Sequence, residues 1–128
     1  MIKIICVGKV KEKFYRDAID EYMMRISKYH KVILRHVNKR DYIITLEIEG
    51  NQLSSLELSN FLDKTMIINS NITFIIGGSY GLHDDIKSIA NYKLSFSKLT
   101  FPHQLFRVIL LEQIYRSFKI LNNETYHK

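Results

Sequence analysis

The chain has 128 residues, of which 46% are hydrophobic and 25% charged, with a formal net charge of +6 and a sequence pI near 9.4. That balance fits one folded domain with a single core and excludes a disordered polyelectrolyte. No apolar run approaches the roughly eighteen residues that span a bilayer, and Met1 to Val7 is too short for a signal peptide. The single cysteine, Cys6, allows no internal disulfide, which suits a reducing cytoplasm; its strand-like setting predicts a small core hydrophobe.

In chain order, residues 2–7 form an apolar strand that Gly8 ends. Residues 11–29 place Phe14, Ala18, Ile19, Tyr22, Met23, Ile26 and Tyr29 at helical spacing. A second strand is predicted over 31–37 and a third over 42–48, with Gly50 after it. Ser54 and Glu57 make a capping box for a helix whose buried stripe is Leu58, Phe61, Leu62 and Met66. Ile72 to Ile76 reads as a strand buried on both faces, residues 84–90 as a short helix, and Tyr92, Leu94 and Phe96 as the inward side of a fifth strand. A long helix is predicted from about Pro102 to Leu121. Strand and helix alternate throughout, the pattern of an α/β fold with a largely parallel sheet and helices on both faces.

The join between the second and third strands stands out. Parallel neighbours need a crossover of about a dozen residues or more, and only a few lie between Val37 and Asp41. Either these strands pair as an antiparallel hairpin, or a helical segment is missing; Asn38-Lys39 is only a fair hairpin turn, which favours the missing segment. The last helix is also unusual. Its apolar residues, from Leu105 and Phe106 through Val108 to Leu111 and on to Leu121, cover more than one face. That width predicts a symmetric homodimer contact, the alternative being a core helix packed on two sides.

Two loops carry the functional signal. Ile75 to Leu82 holds Gly77, Gly78 and Gly81, which let backbone N–H groups approach a ligand closely. Leu94 to Gln104 joins small polar residues to Pro102 and His103. Both loops are expected at one edge of the sheet, where nucleotide-like ligands bind in such folds. Basic residues gather after the first strand (Lys9, Lys11, Lys13), in the middle (Arg35, His36, Lys39, Arg40) and in the last segment (Arg107, Arg116, Lys119, His127, Lys128), so nucleic acid is the leading partner class. His83-Asp84-Asp85 could suggest a metal cluster, but acids belong at a helix N-terminus, and no metal is expected. A flavodoxin-like nucleotide binder lacks support because no G-x-G-x-x-G or P-loop follows a strand.

Val7-Gly8-Lys9 with Lys11-Glu12-Lys13, Thr45 to Gly50 with Leu53-Ser54-Ser55, Phe74 to Leu82, Leu94 to Gln104, Arg107-Val108, Glu112 to Arg116, and Tyr126-His127-Lys128 closely resemble the ribosomal large-subunit methyltransferase H family, which is SPOUT-class. The resemblance covers nearly the whole chain. It departs at one place: the family carries about thirty more residues between its second and third strands, including a helix, at the join that is too short here.

The resemblance implies a single SPOUT domain over 1–128 with a C-terminal trefoil knot. It implies methyl transfer from S-adenosylmethionine to N3 of a pseudouridine in a hairpin of 23S, large-subunit ribosomal RNA, probed most naturally in assembled ribosomes. The cofactor would lie among Leu46, Gly77 and the segment Phe96, Ser97, Lys98, Leu99, Thr100 and Phe101. The candidates for catalysis are His103, Arg116, Tyr126 and His127, with no general base assigned. Arg116 is equally suited to an i,i+4 pair with Glu112. Tyr126 and His127 fall in a polar tail expected to add little to the core and to act as a flap, in its own subunit or across a homodimer. A catalytically impaired RNA-binding or ribosome-associated protein of the same fold is the alternative.

Overall fold

The computed structural model describes residues 1–6, 10–29, 32–33, 37–77 and 82–128. Among them are five strands, β1 (Ile2–Cys6), β2 (Val32–Ile33), β3 (Tyr42–Gln52), β4 (Ile72–Ile76) and β5 (Tyr92–Ser95). The helices are α1 (Lys13–Ile26), α2 (Ser55–Ile68), α3 (Asp84–Ser88) and α4 (His103–Leu121). The strands form one sheet in the order β2-β1-β4-β3-β5, and every pairing is parallel. The predicted second strand is described only at Val32–Ile33; residues 31 and 34–36 lie outside the described residues.

The strand order decides against one of the two alternatives for the short join. Strands β2 and β3 are not neighbours, since β1 and β4 lie between them, so the hairpin alternative does not apply. Three strand spacings of about 4.8 Å make roughly 14 Å. Nine Cα steps from Ile33 to Tyr42 reach about 30 Å when extended. The link is long enough to span that distance.

Alternation sorts the sheet into two faces. Ile2, Ile4, Ile44, Ile72, Phe74, Ile76 and Leu94 join one buried cluster with Ile26 of α1, Leu58 and Leu62 of α2, and Leu110, Leu111, Ile114 and Phe118 of α4. All three long helices thus share one face. On the other face Thr45 donates from Oγ1 to Glu47 Oε2 at 2.7 Å, and Lys87 of α3 reaches Glu47 at 3.9 Å. Helices do cover both faces, but unequally. The capping box of α2 forms as read: Glu57 N–H donates to Ser54 Oγ at 3.1 Å, and Ser54 N–H donates to Glu57 Oε1 at 2.9 Å. Its stripe divides, with Leu58 and Leu62 buried and Phe61 and Met66 half-buried.

Helix α4 packs between α1 and α2, which accounts for the apolar width of its second half. Leu110, Leu111, Ile114, Tyr115 and Phe118 are buried, whereas Leu105, Val108 and Ile109 in the first half are only half-buried. Cys6 is half-buried against the core, and burial raises its thiol pKa while Arg107 opposes the shift.

An ion pair ties three strands together at the N-terminal edge. Lys3 of β1 donates to Asp41 Oδ2 at 2.8 Å, and Thr73 of β4 donates to the same oxygen at 2.9 Å. Asp41 sits immediately before β3 and is 4% exposed. A buried carboxylate requires such partners.

Candidate functional site

Because every strand is parallel, Cys6, Leu46, Ile76 and Leu94 come into register near one edge of the sheet. Beyond that edge the chain must turn, and a break in β3 gives the turn its shape. Leu46 and Asn51 both pair with Leu94, so Glu47 to Gly50 bulge out between them. Gly50 permits this by close approach: a Cβ there would lie 2.7 Å from the Lys93 carbonyl oxygen and 2.9 Å from the Leu94 carbonyl carbon.

The bulge walls a cavity of about 340 Å³, within the roughly 300–1,000 Å³ of small-molecule sites. Leu46, Gly77, Phe96, Ser97, Leu99, Thr100 and Phe101 line it, with His103 and Phe106 from the start of α4. The three segments singled out for the cofactor thus meet around one space. Lys98 is the exception, exposed and outside the wall. Gly78 and Gly81, with Ser79 and Tyr80, lie outside the described residues.

The 96–101 segment is braced from within. Ser95 Oγ donates to the Ser97 carbonyl at 3.1 Å, and Leu99 N–H donates to Ser97 Oγ at 3.0 Å. Phe106 packs against Phe96 and Phe101, with ring centroids 5.0 and 6.0 Å away, tying the loop to α4. Behind Phe96 and Phe101 lies a second cavity of about 360 Å³, walled also by Ser55, Ile109 and Gln113.

Glu47 and Lys87 also line the first cavity, and neither is among the site residues expected from the sequence. The Glu47 side chain is 10% exposed and held by Thr45 and Lys87. Its available signal was an acid two residues past the last buried residue of the strand, three before Gly50. Leu46, Ile76, Leu94 and Phe96 offer apolar walls for a flat heterocycle. Glu47 and Glu49 offer carboxylate acceptors for hydroxyl or ammonium groups, so the residues present fit S-adenosylmethionine.

The catalytic candidates separate into two places. His103 lines the cavity. Arg116, Tyr126 and His127 assemble at the far end of α4. Arg116 Nε donates to Glu112 Oε1 at 2.9 Å, Arg116 Nη1 lies 3.0 Å from His127 Nδ1, and the Arg116 guanidinium lies 4.8 Å from the Tyr126 ring centroid. Tyr126 donates to Glu112 Oε1 at 3.2 Å and packs against the core. Its hydroxyl pKa is pushed up to about 12, first by burial, then by Tyr22 and Glu112. The tail therefore contributes to packing, correcting the expectation of a free polar flap: an aromatic ring among polar neighbours still buries its face. Thirteen residues of helix separate His103 from Arg116, about 20 Å of rise.

His83 caps α3, its Nδ1 accepting from Asp85 N–H at 3.2 Å, and among the described residues no three His, Cys, Asp or Glu side chains come together as a metal site. No helix among them is long and apolar enough to cross a membrane.

Known proteins match both the sequence and the shape. The family model described as "Predicted SPOUT methyltransferase" matches residues 30–127. The chain is 45% identical over 157 aligned positions to the ribosomal RNA large subunit methyltransferase H of Clostridium botulinum (strain Loch Maree / Type A3), covering 99% of each chain. The chain belongs to the SPOUT-class ribosomal RNA large subunit methyltransferase H family. A Methanococcus maripaludis protein that carries the same name as a provisional one is 48% identical, again over 99% of both chains. The solved structure of a probable methylase family protein from Haemophilus influenzae Rd KW20 superposes with a TM-score of 0.65 at 12% identity, covering 99% of this chain and 70% of that one. At that identity it supports the fold alone.

Proposed function

We propose that this protein is a cytoplasmic S-adenosylmethionine-dependent methyltransferase acting on N3 of a pseudouridine in 23S, large-subunit ribosomal RNA, with assembled ribosomes as its natural substrate. The observation that carries this reading is the cavity where Leu46, Gly77 and the 96–101 segment meet at the strand ends. The cofactor would supply an already activated methyl group, so placement of the acceptor supplies much of the acceleration. The apolar walls exclude water around the reacting atoms. His103, at the cavity wall, is positioned to hold or accept a proton near an incoming base.

Arg116, Tyr126 and His127 lie too far along α4 to reach the cavity of their own chain. If they act on RNA, they do so from a second copy. The half-buried Leu105, Val108 and Ile109 offer the contact for such a homodimer. Ile109→Asp should give monomers by light scattering, and an unchanged dimer would contradict the arrangement. The trefoil knot belongs to this same reading of the C-terminal half.

A second reading has a specific observation behind it. The alignments run over 157 positions against a chain of 128, as expected if relatives carry a segment absent here near residues 37–41. Loss of that segment favours an RNA-binding protein with impaired catalysis. Methyl transfer from labelled S-adenosylmethionine to a hairpin containing pseudouridine, beside one containing uridine, decides between them. Transfer to the pseudouridine hairpin alone supports catalysis. Absence of transfer to the hairpin and to assembled ribosomes alike, with RNA still bound, supports the second reading.

A further inference from the structure

Phe14, in the first turn of α1, is 65% exposed and takes no part in the core cluster. Its ring lies against Tyr15, centroids 4.5 Å apart and planes inclined by 51°. Exposed Lys11, Lys13 and Arg16 flank the pair. Arg16 is fixed there, donating from Nη1 to the Lys11 carbonyl at 2.6 Å and to the Val10 carbonyl at 3.3 Å. Lys13 meets Asp17 at 3.0 Å, but both are largely exposed, a pair that solvent and phosphate readily displace.

The position matters as much as the composition. Cys6 at the end of β1 is in register with Ile76, so the chain enters α1 from the edge where Gly77 lines the cavity.

We infer that Phe14 and Tyr15, with Lys11, Lys13 and Arg16, form a docking platform for unpaired RNA, one base stacking on Phe14 and flanking phosphates meeting the cations. This inference rests on the proposed RNA substrate. Cations beside an exposed ring suit single-stranded nucleic acid, whose bases present their faces and whose backbone is anionic. A duplex would engage the cations alone, because its bases are already stacked.

The experiment is fluorescence anisotropy with a labelled hairpin bearing a single-stranded loop, and with a blunt duplex of equal length. It compares the full chain with Phe14→Ala and Phe14→Trp. Phe14→Ala should weaken hairpin binding at least fivefold, since stacking on one base is worth about 1–3 kcal/mol. Phe14→Trp should restore it, while duplex binding and S-adenosylmethionine affinity change less than twofold. Equal hairpin binding by the full chain and Phe14→Ala would overturn the platform while leaving the substrate reading intact. A change of mass by light scattering in Phe14→Ala, with RNA affinity unchanged, would overturn it in favour of self-association. No binding by the unaltered chain to the hairpin or to assembled ribosomes would instead overturn the RNA reading and the platform with it.

Discussion

Tyr126 stands edge-on to Tyr115, ring centroids 4.8 Å apart with planes at 78°, so the tail is anchored on α4 through Tyr126. The aromatic pair and the stacked Arg116 contribute on the order of 1 kcal/mol beyond area burial. Deleting Tyr126 to Lys128 should therefore lower the melting temperature by a few degrees. Methyl transfer should fall at least tenfold, with cofactor binding far less affected. Calorimetric melting and a transfer assay on the same sample check both parts, and an unchanged melting temperature would contradict the packing role.

Titration of Tyr126 gives a second check. Its pKa is raised from about 10 to about 12 by burial first and by Glu112 and Tyr22 after it. The folded state thus favours the neutral phenol, and this contribution is complete below pH 10 and is lost as the pH rises towards 12. The melting temperature of the unaltered protein minus that of Tyr126→Phe should shrink across this window. A constant difference would mean that the hydroxyl titrates as in the unfolded chain.

At the opposite edge, Asp41 holds Lys3 and Thr73. Asp41→Ala would leave the Lys3 ammonium, 12% exposed, without its partner, at a cost of about 3–5 kcal/mol. Thr73→Val should cost about 1 kcal/mol. Urea unfolding of the two variants measures the contrast, and equal small losses would show that water replaces the carboxylate.

Gly50→Ala tests the bulge. The added methyl would meet the Lys93 carbonyl, which as backbone of β5 cannot swing aside. Glu47 to Glu49 and the start of the 96–101 segment must shift together. Cofactor affinity should fall at least fivefold, more than for Gly50→Ala acting on stability alone, which a matching loss of melting temperature without loss of affinity would indicate.

Much of this was legible from local patterns. The β4 run Ile72 to Ile76 announced a central strand, and Ser54 with Glu57 announced the start of α2, because burial and capping act within a few residues. Leu46, Gly77 and the 96–101 segment were legible as a group through the resemblance, and the parallel register explains why they converge. Strand order was not legible: nothing in residues 31–42 says that β1 and β4 lie between β2 and β3. The Glu47 wall was missed because it depends on a pairing break opposite Leu94. Tyr126 reads as tail because its partners, Tyr115 and Glu112, lie 11 and 14 residues earlier in the chain.

Calorimetric titration of the full chain with S-adenosylmethionine shows directly whether the Leu46, Gly77 and 96–101 cavity holds it. Saturable binding at one site per chain is expected, weakened at least tenfold by Gly77→Val, whose side chain takes up volume at the cavity wall. No binding, or equal binding by the variant, would contradict it.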